Sequence, residues 1–413
     1  MITARYLIVG GGVAGTTAAE VIRKLDPEGG IVVVSEEPHR FYSRVMLSKP
    51  QFFLGQIPFD RIWLKTEEWY LENMVTLLKG RVVVRLDPEE NSVLLDDGTK
   101  IRFDKLLVAT GTCSRKWGIV GAQKRGVHYL RTLDDAVGVM NAVKTAKRAV
   151  IVGSGFVSFE MCEMLRLAGL EVEAIIRERY FWEPLLDETS GRMVEKALEK
   201  SGIKITRNTL IDHVVGDDAV EGVAFKDGSR TTCDMIIAGI GVFCTADWVQ
   251  QGGVEIGRGG VLANEYLETS RHDVWAAGDA VEYQDVVLGE RTQIATWFNA
   301  QMQGRTAATN MTGKRKVFRM VSTMTAQAFG ISVSFVGSPM VLAGRQAVYR
   351  GDPAGNSFVK LVLKGKELIG ATLINRSEEI GALVQLIERN IDVSGMLDKL
   401  ADPSFALESI VKS

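Results

Sequence analysis

Residues 6–15 read YLIVGGGVAG, and TTAAEVIRKL (16–25) follows directly. An apolar strand, YLIVG (6–10), runs into glycines that open a helix reaching Lys24, and a second apolar strand, IVVVS (31–35), comes next. This order is a βαβ unit. Within it, GGGVAG (10–15) fits the spacing G-x-G-x-x-G at Gly10, Gly12 and Gly15. Gly10 permits the tight turn after the strand, Gly12 lets a pyrophosphate approach the backbone, and Gly15 lets helix and strand pack closely. Val13 and Ala14 sit between the last two glycines and count with them as cofactor-binding. The helix N-terminus offers free N–H groups and a partial positive charge to phosphates. Glu36, 36 − 12 = 24 residues past the second glycine, suits the hydroxyls of a ribose. A glycine turn in an unrelated α/β protein is the competing explanation; the strand, the helix and the acid together argue for a dinucleotide.

The pattern recurs. RAVIVGSGFVSFEMCEMLRLAGLEVEAIIRER (148–179) is again strand, glycine loop, helix and strand, and a unit carried twice predicts two nucleotide-binding domains. Gly153, Gly155 and Phe156 open the second loop, but Ser158 stands in the place of the third glycine, which predicts slightly looser packing. The second strand ends in Arg177, Glu178 and Arg179 rather than in a lone acid; Arg177 lies 177 − 155 = 22 residues past the second glycine. An acid repels a 2′-phosphate, whereas an arginine pairs with it bidentately. Arg177 and Arg179 therefore favour NADPH slightly over NADH. The alternative leaves both arginines solvated and makes Glu178 the ribose ligand.

The bulk composition narrows the function classes. At roughly 100–200 residues per domain, 413 residues make two to four domains. The formal net charge of −2 supplies no global field for nucleic acid or a membrane surface. The four cysteines (113, 162, 233, 244) form no C-x-x-C, and with only four histidines no metal site is expected. MITARYLIVG shows no secretory signal, and the longest apolar run, MIIAGIGVFCTA (235–246), is short of the ~20 residues of a membrane-spanning helix. The expectation is a reduced, cytoplasmic protein. Residues 80–110 read as short strands around the DDG turn at 96–98, and VEGVAFKDG and DMIIAGIGV (234–242) as further strands. After Lys314 come short strands over 332–375, then two helical patterns, EEIGALVQLIER and SGMLDKL.

Three more stretches complete the picture. ATG (109–111) follows Asp104, GIGV spans 239–242, and AAGDA spans 276–280. In this order the motifs resemble the two-dinucleotide-binding flavoproteins of the pyridine nucleotide–disulfide oxidoreductase superfamily. The resemblance covers roughly residues 4–312. It implies an α/β fold of two Rossmann-like domains, with a C-terminal α+β domain: 1–113 and 241–314 for FAD, 114–240 for NAD(P), and 315–413 as an interface domain. By the same match, Thr110, Gly111, Val83, Gly241, Gly278 and Asp279 belong to the cofactor sites.

Within the superfamily the chain is most similar to rubredoxin and ferredoxin reductases and to the flavin module of NAD(P)H nitrite reductases. RFYSRVMLSKP (40–50) resembles their Y-x-R-x-x-L-S-K loop. The resemblance assigns Arg44 to the phosphate or adenine side of FAD and Lys49 to the isoalloxazine. It pairs Lys49 with Glu160, between two domains, beside the nicotinamide. Trp297 in TWFNAQMQG either stacks near the flavin or packs its own helix. Disulfide reductases carry redox cysteines near this loop, but here Phe41, Tyr42 and Ser43 cannot exchange thiols. Cysteines 113, 162, 233 and 244 are accordingly taken as inert.

The implied activity is an FAD-dependent NAD(P)H oxidoreductase that passes electrons to a small carrier protein of rubredoxin or ferredoxin type. The alternatives are a flavin subunit of a larger complex with an iron–sulfur partner subunit, such as a nitrite reductase-like assembly, or an oxidase using O2. A homodimer through the C-terminal domain is compatible with the resemblance. Two departures mark the acceptor side: Cys244 and Thr245 replace the usual Pro-Asn, and TMTAQAFG (323–330) has only Phe329 where ferredoxin reductases place tryptophans.

Overall fold

The computed structural model describes residues 1–412. The chain forms two compact units, each built from three separate stretches. The first takes residues 1–43, 59–113 and 242–320; the second takes 44–58, 114–241 and 321 onward.

The first unit is organised by a parallel sheet. Strand Ile2–Val9 lies between Ile31–Ser35 and Lys100–Val108, with Val75–Lys79 beyond the former and Val274–Ala276 also on Lys100–Val108, all parallel. Strands Ser92–Leu95 and Val83–Asp87 extend the sheet antiparallel. The apolar runs become central strands because a parallel sheet covered on both faces demands side chains that are apolar on both; all five residues of Ile31–Ser35 are buried. Helix Val13–Leu25 presents Ala14, Ala18, Ala19 and Ile22 to the core. It packs against helix Trp297–Met311 at very short range: a Cβ on Gly304 would lie 2.2 Å from the Ala14 carbonyl.

The second unit holds another parallel sheet, ordered Ile203–Thr206, Glu171–Ile175, Arg148–Val152, Met235–Ala238 and Val127–His128. Helix Phe156–Leu167 follows its central strand. The expected strand over 234–242 stops at Ala238. Gly239 is needed there for space, since a Cβ on it would meet the Ser158 hydroxyl at 2.4 Å. The expectation of looser packing at Ser158 is corrected by the same contact: Ser158 is fully buried, and Gly239 gives up the volume that the missing third glycine takes.

The C-terminal part is an antiparallel sheet, Thr323–Ala328, Ile331–Gly337, Glu367–Ile374, Phe358–Lys364 and Arg345–Arg350, backed by helix Ile380–Glu388. Together the two Rossmann-like sheets and this α+β part give the fold class that the motifs imply. Arg350, 3% exposed, holds the chain end of this part: its guanidinium is 2.6 Å from the Glu379 carboxylate, 2.7 Å from the Phe405 carbonyl, and also donates to the Asp402 carbonyl.

Segment 44–58 joins the second unit rather than the first. Phe53 packs into the core that contains Phe159, Met164 and Leu165, and Leu47 and Phe52 of the same segment are also buried. Among the described residues no helix is long and apolar enough to cross a membrane.

Candidate functional site

In the first unit, the loop after strand Ile2–Val9 is shaped by exclusion. Gly10 has φ +122°, and a Cβ on it would lie 2.0 Å from the Ala109 carbonyl. The Gly10 N–H donates to the Val34 carbonyl, which ties the loop to the end of the second strand, where Glu36 is exposed. At Gly12 the situation reverses: it caps helix Val13–Leu25 without any side-chain acceptor, and a Cβ there would meet nothing within 4 Å. The first-turn N–H groups therefore face open space on the side where a pyrophosphate would approach.

Two buried polar atoms near this loop have no hydrogen-bond partner among the described residues. One is the Thr110 hydroxyl oxygen, beside Gly10; the other is the Gln303 amide nitrogen. Gln303 is fully buried, and its amide oxygen accepts from the Gly278 N–H at 2.7 Å, which holds the turn carrying Asp279. Thr112 Oγ1 lies 3.5 Å from Asp279 Oδ2. Orphaned buried polar groups are rare and call for a ligand or water. Open helix N–H groups, an exposed acid and two unsatisfied polar atoms fit the diphosphate, ribose and ribityl groups of FAD.

The aromatic members of this unit are also placed. Trp297, first residue of its helix behind the Thr296 cap, stacks on Phe41 with ring centroids 5.7 Å apart and planes 15° apart. Val83 is buried in the sheet core. Gly111 lies in the loop after strand Lys100–Val108, with φ +70°.

In the second unit, Gly155 caps helix Phe156–Leu167 as Gly12 caps its counterpart, again with open space around it and no side-chain acceptor. The Phe156 side chain turns away into a cluster with Trp182 and Phe335, at 4.9 and 5.9 Å between centroids, which leaves its backbone at the loop. Gly241 follows the strand end with φ +100°.

The charges at the end of strand Glu171–Ile175 are arranged around Glu178. Its carboxylate accepts from Ser154 Oγ at 3.1 Å and from Arg177 Nε at 2.8 Å, and its side chain is 18% exposed. Arg179 is closed on Glu183 instead, with Nε 2.8 Å from Oε1. Ser154, the middle residue of Gly-Ser-Gly, thus ties the glycine loop to the acid.

On the same helix, Glu160 accepts from two neighbours. Lys49 donates to Oε1 and Ser48 Oγ to Oε2. The expected Lys49–Glu160 pair forms, but inside one compact unit rather than between two domains, because segment 44–58 is drawn into the second core by Phe53. Arg44 lies in this unit too, and its guanidinium donates to the Arg131 carbonyl. One turn along the helix from Glu160, Glu163 accepts the Phe329 N–H at 2.8 Å.

Burial disfavours the thiolate at three of the four cysteines. Burial pushes the Cys162 thiol far up, and burial raises Cys233 to about 12 and Cys244 to about 11. None lies in the 40–50 loop. Among the described residues, no group of three or more His, Cys, Asp or Glu side chains is placed to hold a metal ion.

Sequence reasoning assigned no role to Ser48, Ser154 and Gln303. Ser48 and Ser154 stand inside motifs whose recognisable members are their neighbours, and Gln303 lies in the QMQG stretch after Trp297. Adjacency was the only signal.

Comparison with known proteins agrees with this geometry. Residues 4–304 match the family described as pyridine nucleotide-disulphide oxidoreductase, and residues 326–411 match the reductase C-terminal family. The chain is 29% identical to nitrite reductase (NAD(P)H) of Bacillus subtilis over 94% of its own length, and spans only 48% of that protein. It is 28% identical to the ferredoxin–NAD(+) reductase component of the biphenyl dioxygenase system of Paraburkholderia xenovorans, covering 98% of each chain. A crystal structure of ferredoxin reductase from Rhodopseudomonas palustris superimposes with a TM-score of 0.90 at 26% identity, covering 100% of both chains.

Proposed function

We propose that this chain, which belongs to the pyridine nucleotide-disulphide oxidoreductase family, holds FAD on its first glycine loop and NADH on its second, and delivers electrons to a small iron–sulfur carrier protein. FAD and NAD(H) are the cofactors typical of the family, and the chain is a flavoprotein oxidoreductase. Bound FAD accepts electrons in pairs from a nicotinamide and returns them singly.

The chain's own residues supply binding and orientation. Gly10, Gly12, Val13, Ala14 and Gly15 would cradle the FAD diphosphate, with Glu36 on its ribose, while Thr110, Gly111, Gly278 and Asp279 would hold the remainder. Trp297 would back the cofactor through its stack on Phe41. Gly153, Gly155 and the Phe156 backbone would receive the nicotinamide nucleotide, with Gly241 at the neighbouring strand end. Lys49 and Glu160 would position its reacting end. Residues 1–113 and 241–314 would then serve FAD and 114–240 the nicotinamide nucleotide, apart from the loop 44–58; 315–413 would serve as the interface domain.

NADH replaces NADPH as the favoured donor. Arg177 and Arg179 are both closed on acids, and Glu178 is latched to the loop by Ser154. A carboxylate held there accepts ribose hydroxyls and repels a 2′-phosphate.

The observation that carries the proposal is the pair of open, uncapped glycine loops on two separate parallel sheets, in a chain whose 40–50 loop holds Lys49 and no thiol. Without a thiol relay in that loop, electrons would pass from a bound flavin straight to the acceptor. The relative from Paraburkholderia xenovorans is named as a ferredoxin–NAD(+) reductase component, and this chain matches it along nearly its whole length. The test is anaerobic mixing of the NADH-treated protein with a [2Fe–2S] ferredoxin. Catalytic reduction of the ferredoxin supports the proposal; NADH consumption only in air, with no ferredoxin reduction, contradicts it and makes the chain an oxidase.

A second reading rests on the nitrite reductase, of which this chain spans under half. There the chain would be the NAD(P)H-accepting part of an assembly, and an iron–sulfur subunit purified with it would support that.

A further inference from the structure

Glu160 carries two donors of different kinds. Lys49 reaches it on a long side chain that is 33% exposed, whereas Ser48 reaches the other oxygen on a single-rotor side chain. Both donors come from one loop whose backbone is pinned. Leu47 is 2% exposed, and the N–H groups of Phe52 and Phe53 donate to the Lys49 carbonyl at 3.1 and 3.0 Å. Ser48 therefore has little freedom to leave Glu160. The Lys49 ammonium, at the end of four rotatable bonds, can swing without moving the backbone.

We propose that Ser48 is a positioning residue: it keeps the Glu160 carboxylate aimed while Lys49 turns from Glu160 to the bound nicotinamide nucleotide. The inference rests on the reading that Lys49 and Glu160 serve the reaction with NADH. A carboxylate that is 18% exposed and loses its only donor carries an uncompensated desolvation cost. With Ser48 present, one oxygen stays satisfied whichever way Lys49 points, so the lysine is free to exchange partners. Without Ser48, Lys49 becomes the sole donor to Glu160 and is held there.

The test compares Ser48→Ala, Ser48→Thr, Glu160→Gln and the Ser48→Ala/Glu160→Gln double variant. Three quantities are read: the rate of flavin bleaching at saturating NADH, the NADH concentration for half-saturation, and the thermal midpoint of the full chain. Ser48→Ala should bleach about tenfold more slowly, with half-saturation changed by less than about twofold. Ser48→Thr, which keeps the hydroxyl, should restore the rate. Ser48→Ala should lower the thermal midpoint in the natural background but not beside Glu160→Gln, as coupling between the two groups requires. A Ser48→Ala protein with the natural rate, beside a slow Glu160→Gln protein, overturns the inference and leaves the proposed function standing. Natural rates in Ser48→Ala and Glu160→Gln alike overturn both.

Discussion

Arg177 and Glu178 are neighbours in the chain and close on each other, with Arg177 Nε 2.8 Å from Glu178 Oε1. The contact changes what the two residues can recognise. On the proposed function, an arginine engaged by the adjacent acid would pair less readily with a 2′-phosphate, while the acid, fixed from its other side by Ser154, would accept ribose hydroxyls. Wild-type protein should therefore prefer NADH, with kcat/KM at least about tenfold above that for NADPH. Replacing Glu178 with Ser should narrow or invert that ratio by releasing Arg177. Steady-state kinetics with both nucleotides decide it; a Glu178→Ser protein with an unchanged ratio removes Glu178 from nucleotide selection.

Lys49 should matter for the reaction and not for holding FAD. Lys49→Ala is expected to keep its flavin, seen in the absorbance ratio of visible to protein bands, while anaerobic bleaching by NADH slows about tenfold or more. Stopped-flow absorbance measures this directly. A natural rate would take Lys49 out of the mechanism.

Acid should loosen the second unit at a definable place. The Asp187 carboxylate caps helix Glu188–Lys200 through the Ser190 N–H at 2.9 Å and lies 3.1 Å from the ammonium of Lys360, which is 3% exposed. Burial pushes the Asp187 carboxyl up, but Ser190 and Lys360 outweigh it and hold the group below its ordinary value of 3.8. The folded state thus binds its proton less readily than the unfolded chain. The stabilisation is complete above the unfolded value and is lost as pH falls from there through the folded one. Urea midpoints of wild type and Asp187→Asn should lie far apart at pH 7 and converge below about pH 4. A constant gap across that range would contradict this assignment.

Arg350 should be among the costliest substitutions in the C-terminal part. It is buried against Glu379 and the carbonyls of Asp402 and Phe405, so Arg350→Ala takes one of two arginines from the Glu379 carboxylate, which keeps Arg376, and removes the guanidinium from both carbonyls. Breaking one side of a buried pair costs about 3 kcal/mol or more. Denaturant unfolding should show a loss of that order, and a loss below about 1 kcal/mol would mean water replaces the guanidinium readily.

Much of this architecture is legible in the chain because its local rules are strong. Short, β-branched apolar runs such as IVVVS, preceded by a glycine turn, read as buried strands, and the spacing of Gly10, Gly12 and Gly15 ties a strand to a helix at fixed distance. The Lys49–Glu160 pair was legible from resemblance alone, because its partners are 111 positions apart in sequence. What stayed hidden depends on packing between distant positions. The capture of segment 44–58 by the second core follows from where Phe53 finds apolar neighbours, and the room made by Gly239 for Ser158 follows from a helix meeting the end of a distant strand. The setting of Arg177 is hidden for a different reason: nothing in RER reveals that it folds back onto its neighbour.

The most direct measurement is an anaerobic titration of the purified protein, followed by visible absorbance. The protein should carry flavin bands, and one equivalent of NADH should bleach them far faster than one equivalent of NADPH. Flavin bands that neither nucleotide bleaches would contradict the account, because the second glycine loop would then not deliver electrons to the first.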